Sequence, residues 1–275
     1  MLRSSYPRVV DLAGSATTVE HAGRAPEGSE RVVVMAHHAT SPQITRSVRR
    51  YVEEFLDAGY RLIVVSSSTF AEPLDWGDLD LTDVTVLRKP NVGYDFGSWA
   101  IGLYLYPEVA GRGDVVLTND SLAGPFASFR PLLDQLHASP ADVWGLTETM
   151  QFTRHAQSFF LGFRRGVLRE APLRHFWADV RHYEDKQLVI HRNELGLARL
   201  LRAEGFTVDA AYPAPTVVDP ADNPTIAGWR TLLDRGWPFV KREIVRSPEL
   251  APDGDQIVPE LLSRFGADPA EWVEA

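Results

Sequence analysis

No cysteine occurs among the 275 residues of this chain. That excludes a disulfide framework, a thiol nucleophile and cysteine-held zinc or iron–sulfur centres. It is compatible with the cytoplasm without requiring it. No apolar run reaches the roughly 18 residues that a membrane-spanning helix needs. The stretch MLRSSYPRVVDLAGS lacks an apolar core long enough for a secretory signal, so none is expected. Positive charge is scarce too: 28 Lys and Arg face 37 Asp and Glu, a net charge of −9. Nucleic-acid binding, which needs a broad basic footprint, is not expected of such a body. There is no repeat of fixed period and no low-complexity tract. The remainder is ordinary, 44% hydrophobic and 24% charged, which argues against disorder and for a sizeable core.

Strand-like and helix-like signals alternate along the chain. Short β-branched runs at 31–36 (RVVVMA), 61–66 (RLIVVS), 84–88, 114–118 (DVVLT), 143–146 and 158–163 (SFFLGF) predict six strands. A helix is expected to open near Ser41-Pro42 and run to Phe55–Leu56, with Gly59 as its stop. Others fit 99–106, 128–137, 168–180 and 194–204, the last bounded by Gly205 and followed by a return at 206–210. The expectation is an α/β fold with a mostly parallel sheet flanked by helices. Residues 31–247 form the expected domain. Residues 1–30 are weakly patterned, with a loop at 23–29, and residues 248–275 read as a Pro- and acid-containing tail.

Five polar clusters fall near the ends of those elements. In the first, Asn91, Gly93, Tyr94, Asp95 and Gly97 lead into Ser98-Trp99. Its glycines permit tight turns, and a helix start there would offer amides to an anion such as pyrophosphate. A plain capped turn explains the same residues about as well. The second is Thr118-Asn119-Asp120-Ser121, directly after DVVL. Mg²⁺ or Mn²⁺ wants hard oxygen ligands and keeps waters and phosphates, so Asp120 with Asn119 beside it is a candidate site. An Asx turn is the structural alternative. The third is His155 and Gln157 at the opening of the sixth strand, able to face a sugar or phosphate. His37-His38 after the first strand can border a nucleotide base, although a lone histidine is more often structural. The fourth is Asn193-Glu194 ahead of LGLARLLRAEG, where Glu194 would be a general base, or simply a carboxylate favoured by a helix N-terminus. The fifth is 229–247, net +3, in which Trp229, Trp237 and Phe239 interleave with Arg230, Arg235, Lys241, Arg242 and Arg246. Such a segment can hold pyrophosphate, rest on an anionic membrane surface, or be a solvated helix end.

Taken together, NVGYDFGSWAIGL, VVLTNDSLAGPF, HAQSFFLGF, the Glu194 helix and NPTIAGWRTLLDRGWPFVKREIV resemble the rhamnan synthesis protein F family over about residues 31–247. That resemblance implies a glycosyltransferase-like protein of cell-surface polysaccharide synthesis. The order of motifs is also similar to that of inverting GT-A glycosyltransferases of the family-2 type. By that similarity Asp120 falls at the position of the metal-binding DxD pair, here reduced to NDS, and Glu194 falls at the position of an aspartate base. The implied donor is dTDP-β-L-rhamnose, with inversion to an α-linked product. The implied acceptor is a glycan or lipid-linked glycan, which would place the chain at the inner face of the cell membrane. His37, Asn91, Gly93, Tyr94, Asp95, Gly97, Asn119, His155, Gln157, Lys241 and Arg242 are the expected substrate contacts. Because NDS departs from DxD, a catalytically silent sugar-nucleotide or glycan-binding subunit is the competing reading. A nucleotidyltransferase is less favoured, because the Lys/Arg-bearing glycine loop it would use is missing near the N-terminus.

Overall fold

The computed structural model describes residues 6–25, 27 and 30–274. Residues 1–5, Ala275 and, within the loop expected at 23–29, Pro26, Gly28 and Ser29 lie outside the described residues. In chain order the strands are β1 (Thr18–His21), β2 (Arg31–His37), β3 (Tyr60–Ser66), β4 (Val84–Arg88), β5 (Asp114–Asn119), β6 (Leu122–Ala123), β7 (Val143–Thr149), β8 (His155–Ala156), β9 (Phe160–Arg164), β10 (Val208–Tyr212) and β11 (Val240–Lys241). The helices are α1 (Val9–Ala13), α2 (Arg46–Asp57), α3 (Tyr94–Leu105), α4 (Arg130–Ala138), α5 (Ala171–Ala178), α6 (Lys186–Val189), α7 (Leu195–Ala203), α8 (Trp229–Asp234), α9 (Arg242–Arg246), α10 (Ile257–Phe265) and α11 (Ala270–Val273).

A nine-stranded mixed sheet runs β1-β4-β3-β2-β5-β9-β7-β10, with β8 paired to β7. The pairs β2–β3, β3–β4, β2–β5 and β7–β10 are parallel. Strand β9 is antiparallel to both β5 and β7, and β1 is antiparallel to β4. The expected α/β fold is present. The chain lays β3 and β4 on one side of β2 and then returns to place β5 on the other. The order therefore reverses between β2 and β5, and the crevice beyond their carboxyl ends is where open α/β sheets bind ligands.

Helices cover both faces of the sheet, which is why the central strands read as unbroken apolar runs. In β2, Val33 and Met35 face a core shared with α2 and α4, while Val32, Val34 and Ala36 face a second core shared with α3 and α5. The first core is rich in aromatics: Phe55 and Phe129 meet edge-on at 5.2 Å. In the second, Trp99 and Trp177 meet at 6.3 Å.

Four stretches differ from the sequence expectations. Helix α2 starts at Arg46, because the Thr45 hydroxyl accepts the Val48 N–H at 3.3 Å and caps the helix there. Helix α3 starts at Tyr94, not at Ser98-Trp99, directly after Gly93 in the left-handed conformation (φ 83°). Residues read as a tail form α10 and α11. Ile257, Leu261 and Val273 join the first core, and Trp272 packs on Phe126 at 5.0 Å. At the other end, Val9 and Ala13 of α1 pack into the second core and β1 edges the sheet.

Gly102 measures how closely α3 lies on the sheet. A Cβ there would stand 2.5 Å from Val34 Cγ1, and Val34 is fully buried. Alanine is the better helix former by about 1 kcal/mol, but overpacking costs about 1–3 kcal/mol. Gly102→Ala is therefore expected to lower the urea midpoint; an unchanged or raised midpoint would show that the contact yields.

Candidate functional site

A cleft of about 1060 Å³ opens at the carboxyl ends of β2 and β5. Its floor is fixed by the end of β5. Thr118 is fully buried, and its hydroxyl donates to Phe159 O at 2.9 Å. Tyr51 of α2 reaches the same hydroxyl at 2.9 Å, and Trp99 of α3 donates its indole N–H to Thr118 O at 2.7 Å. Beyond this clamp the chain turns: the Ser121 N–H donates to Asn119 Oδ1 at 3.1 Å. Asn119 Nδ2 donates to Asp95 Oδ2 at 2.7 Å, and the His38 N–H donates to Asp120 Oδ2 at 3.0 Å.

The β6–β11 ribbon carries the cations in. Its antiparallel pairing of Leu122 with Lys241 sets Lys241 and Arg242 beside the Asn119–Ser121 turn. Lys241 Nζ donates to Ser121 Oγ at 3.1 Å and lies 4.2 Å from the Phe159 ring centroid. Arg242 donates to Asp120 O at 3.1 Å and to Val273 O at 3.0 Å, and its guanidinium is 3.8 Å from the Asp120 carboxylate.

These charges are mostly shielded from water, and their pKa values show it. Asp95 is pushed up to about 6, first by loss of solvent and then by the charge of Asp120; Asn119, Lys241 and Lys89 oppose the shift. Asp120 is also raised by desolvation, against the His38 N–H and Arg242. Desolvation pulls Lys241 down to about 8, against the pull of Glu194 and Asp95. His37, with Nδ1 3.2 Å from Ser66 Oγ, is held neutral by burial, its pKa lowered to about 3.

Glu194 stands on the wall of the cleft, but not at a helix start. Helices α6 and α7 are joined by a π turn, Ile190–Glu194, in which the Leu195 N–H bonds back to Ile190 O. The expected dipole contribution at a free N-terminus is therefore absent, because the preceding turn occupies that end. Two other groups act in its place. Desolvation pushes the Glu194 carboxyl up, but His155 and the Ser158 N–H hold it below the ordinary glutamate value. Ser158 N donates to Oε1 at 2.9 Å. Such π turns recur at functional sites.

Of the expected contacts, His37, Tyr94, Asp95, Asn119, Asp120, Gln157, Glu194, Lys241 and Arg242 line this one cleft. Asn91, Gly93, Gly97 and His155 do not. Asn91 is exposed on the loop ahead of α3. Gly93 and Gly97 serve packing: a Cβ on either would meet Val9 of α1, at 2.5 and 3.2 Å. His155 sits behind Glu194, in a smaller cavity. In the segment 229–247, Trp229, Trp237 and Phe239 are core residues, so its aromatics do not form a surface stripe.

Asn223 is a cleft residue not singled out in sequence; its Oδ1 accepts from Gln157 Nε2 at 3.2 Å. It opens the NPTIAGW motif, which was the available signal. Lys186, also lining the cleft, carried none, whereas Arg246 belongs to the basic segment 229–247.

Among the described residues no three His, Cys, Asp or Glu side chains cluster as a ready-made metal cage. The donor set still fits Mg²⁺ or Mn²⁺. Two shielded carboxylates of raised pKa repel each other, a cation would relieve both, and these ions complete their shell with water and phosphate.

The sequence profile described as rhamnan synthesis protein F matches residues 62–266, well over half the chain. An uncharacterised protein of Sinorhizobium fredii, y4gN, is 25% identical over 84% of this chain and 60% of its own length. Virulence protein VirA of Vibrio anguillarum is 27% identical over 58% of this chain and 62% of its own. The chain thus spans about 60% of the length of these relatives.

The Asp95 carboxyl gives a pH prediction. A group raised from 3.8 to about 6 on folding makes the native state lose stability as pH rises through that interval, and the deficit persists above it. Asp95→Asn keeps an oxygen for Asn119 Nδ2 and removes the charge. Its Tm is expected to exceed the parent's at pH 7.5 and to match it near pH 3.5. A lower Tm at pH 7.5 would show that the carboxylate stabilises the fold.

Proposed function

Because the chain belongs to the rhamnan synthesis protein F family, we propose that it takes part in polysaccharide synthesis as an inverting glycosyltransferase. Its donor is a sugar nucleotide, dTDP-L-rhamnose by the family's association with rhamnan. The observation that carries this reading is the cleft itself. It gathers Lys241 and Arg242, suited to a pyrophosphate, with Glu194, a carboxylate held below its ordinary pKa and suited to a hydroxyl.

The chemistry needs two functions. As the acceptor oxygen bonds to the anomeric carbon, the bond to the nucleoside diphosphate breaks and the electron pair leaves with it. Lys241 and Arg242 meet the growing negative charge in a site with little water, where such contacts are strongest. A divalent ion on Asp120, with Asp95 beside it, would add positive charge at the same place. The hydroxyl proton passes to Glu194, which lines the same cleft. Asn223 and Gln157, hydrogen-bonded to each other, offer polar contacts on the way in. The acceptor in this reading is a glycan or lipid-linked glycan. Among the described residues no helix is long and apolar enough to cross a membrane, so a lipid-linked acceptor would be met at the membrane face.

A second reading, a sugar-nucleotide-binding subunit without turnover, draws on one observation. The Asp120 carboxylate already accepts the His38 N–H and has Arg242 at 3.8 Å, which leaves less of it for a metal.

Calorimetric titration with dTDP and dTDP-rhamnose, with Mn²⁺ and with EDTA, tests binding. Asp120→Asn is expected to weaken binding in Mn²⁺ far more than in EDTA, and equal loss in both would remove the metal role. Glu194→Gln is expected to lower kcat by about 10²–10⁴-fold with donor affinity almost unchanged. Transfer at the parental rate would refute the base assignment. A parent chain that binds the donor yet neither transfers nor hydrolyses it would favour the second reading.

A further inference from the structure

His155 is 8% exposed and lies on the far side of Glu194 from the cleft. It borders a cavity of about 200 Å³ walled by Phe96, Leu161, Leu197, Leu201 and Phe206. Its Nδ1 is 2.7 Å from Thr153 O. A carbonyl oxygen only accepts, so Nδ1 carries a proton. Its Nε2 is 3.7 Å from Glu194 Oε1. At 3.7 Å that contact is an ion-pair separation rather than a hydrogen bond, and it becomes an attraction between full charges when both ring nitrogens carry a proton. Glu194 Oε1 in turn takes the Ser158 N–H at 2.9 Å. The Ser158 hydroxyl adds a side-chain hydrogen bond to the same carboxylate.

We propose that His155 is a positioning residue: a buried imidazolium behind Glu194 whose charge keeps that carboxylate ionised and so able to receive the acceptor's proton. This rests on Glu194 acting as the base. The arrangement answers a specific difficulty. Shielding from water pushes a carboxyl toward its protonated form, and a protonated Glu194 accepts nothing. A fixed positive charge on the side away from substrate keeps the carboxylate ionised without occupying the cleft.

The surrounding charges fit. Glu148 of β7 adds a second carboxylate near the ring, itself paired with Arg154 at 2.6 Å. Arg202 of α7 is turned to Arg154 O, and Lys241 reaches Glu194 from the cleft side. Desolvation draws the His155 pKa down, but Glu194, the Thr153 carbonyl and Glu148 outweigh it and the net direction is upward. With Glu194 lowered from 4.5 and His155 raised from 6.5, the pair is fully charged between those two values and persists beyond both. Its contribution to stability is lost as pH falls through the folded Glu194 pKa, and lost again as pH rises through the folded His155 pKa.

The test uses the full chain and two readouts. Ring ¹⁵N shifts, with His155 assigned by its absence in His155→Gln, report protonation without any activity. The parent is expected to show both ring nitrogens protonated at pH 6.5, and Glu194→Gln to lower the ring's pKa by at least one unit. A neutral ring at pH 6.5, or a titration indifferent to Glu194→Gln, overturns the proposal even if transfer is observed. In the second readout, His155→Gln is expected to move the acid limb of the kcat profile to higher pH with donor KM within about twofold, and imidazole is expected to restore part of the kcat of His155→Ala. An unmoved acid limb also overturns it. Should the chain transfer no sugar, the first readout still decides the state of His155, and the failure then lies with the proposed function.

Discussion

The clamp on Thr118 is the constraint on which the site depends. One residue at the end of β5 is held from three directions: by Trp99 from the helix layer on one face, by Tyr51 from the layer on the other, and by Phe159 immediately before the adjacent strand β9. Each bond is buried, so losing any one would strand a polar group in an apolar setting at a cost of about 1–3 kcal/mol. The two layers are thereby tied through the strand between them. Asn119 and Asp120, the next two residues, inherit their placement from that knot, and Asp95 inherits its own through Asn119.

Charges brought together in this way are costly. Asp95, Asp120, Lys241, Arg242 and Glu194 are all largely shielded, and desolvation is the largest influence on each of them. A core built for stability alone would avoid such a collection. The family, defined over residues 62–266, takes in every one of these five residues. The β6–β11 ribbon seats Leu122, Ala123 and Val240 in the first core and thereby delivers Lys241 and the following Arg242 to the cleft.

What could be read in sequence follows from the same physics. Strands β2, β3, β4 and β5 were visible because both of their faces are buried, which leaves a continuous apolar run. Strands β6, β8 and β11 have two residues each, too short to show any period. The start of α3 was hidden by glycines that read as a turn; Gly97 and Gly102 are there so that α1 and β2 can come close. That Asp120, Lys241, Arg242 and Glu194 gather at one cleft was legible because those residues stand in compact polar motifs. Placing His155 with Gln157 was not, because β8 ends at Ala156 and the two side chains part company there. The support for Glu194 was also illegible: nothing in KQLVIHRNE marks a π turn, and the groups that ionise the carboxylate come from elsewhere in the chain.

That turn has a further consequence, one of phase. Lys186, Val189, Ile190 and Glu194 all line the cleft. These four stand at the i, i+3, i+4 and i+8 spacing that an α-helix already gathers on one face. The one wider turn, in which the Leu195 N–H reaches back to Ile190 O, advances by less than the usual rotation of about 100° per residue and so offsets the faces of α7 from those of α6. The helix therefore behaves as two screws cut from one rod with a fixed offset between them, and the aim of the carboxylate is set by backbone winding as much as by its own rotamer.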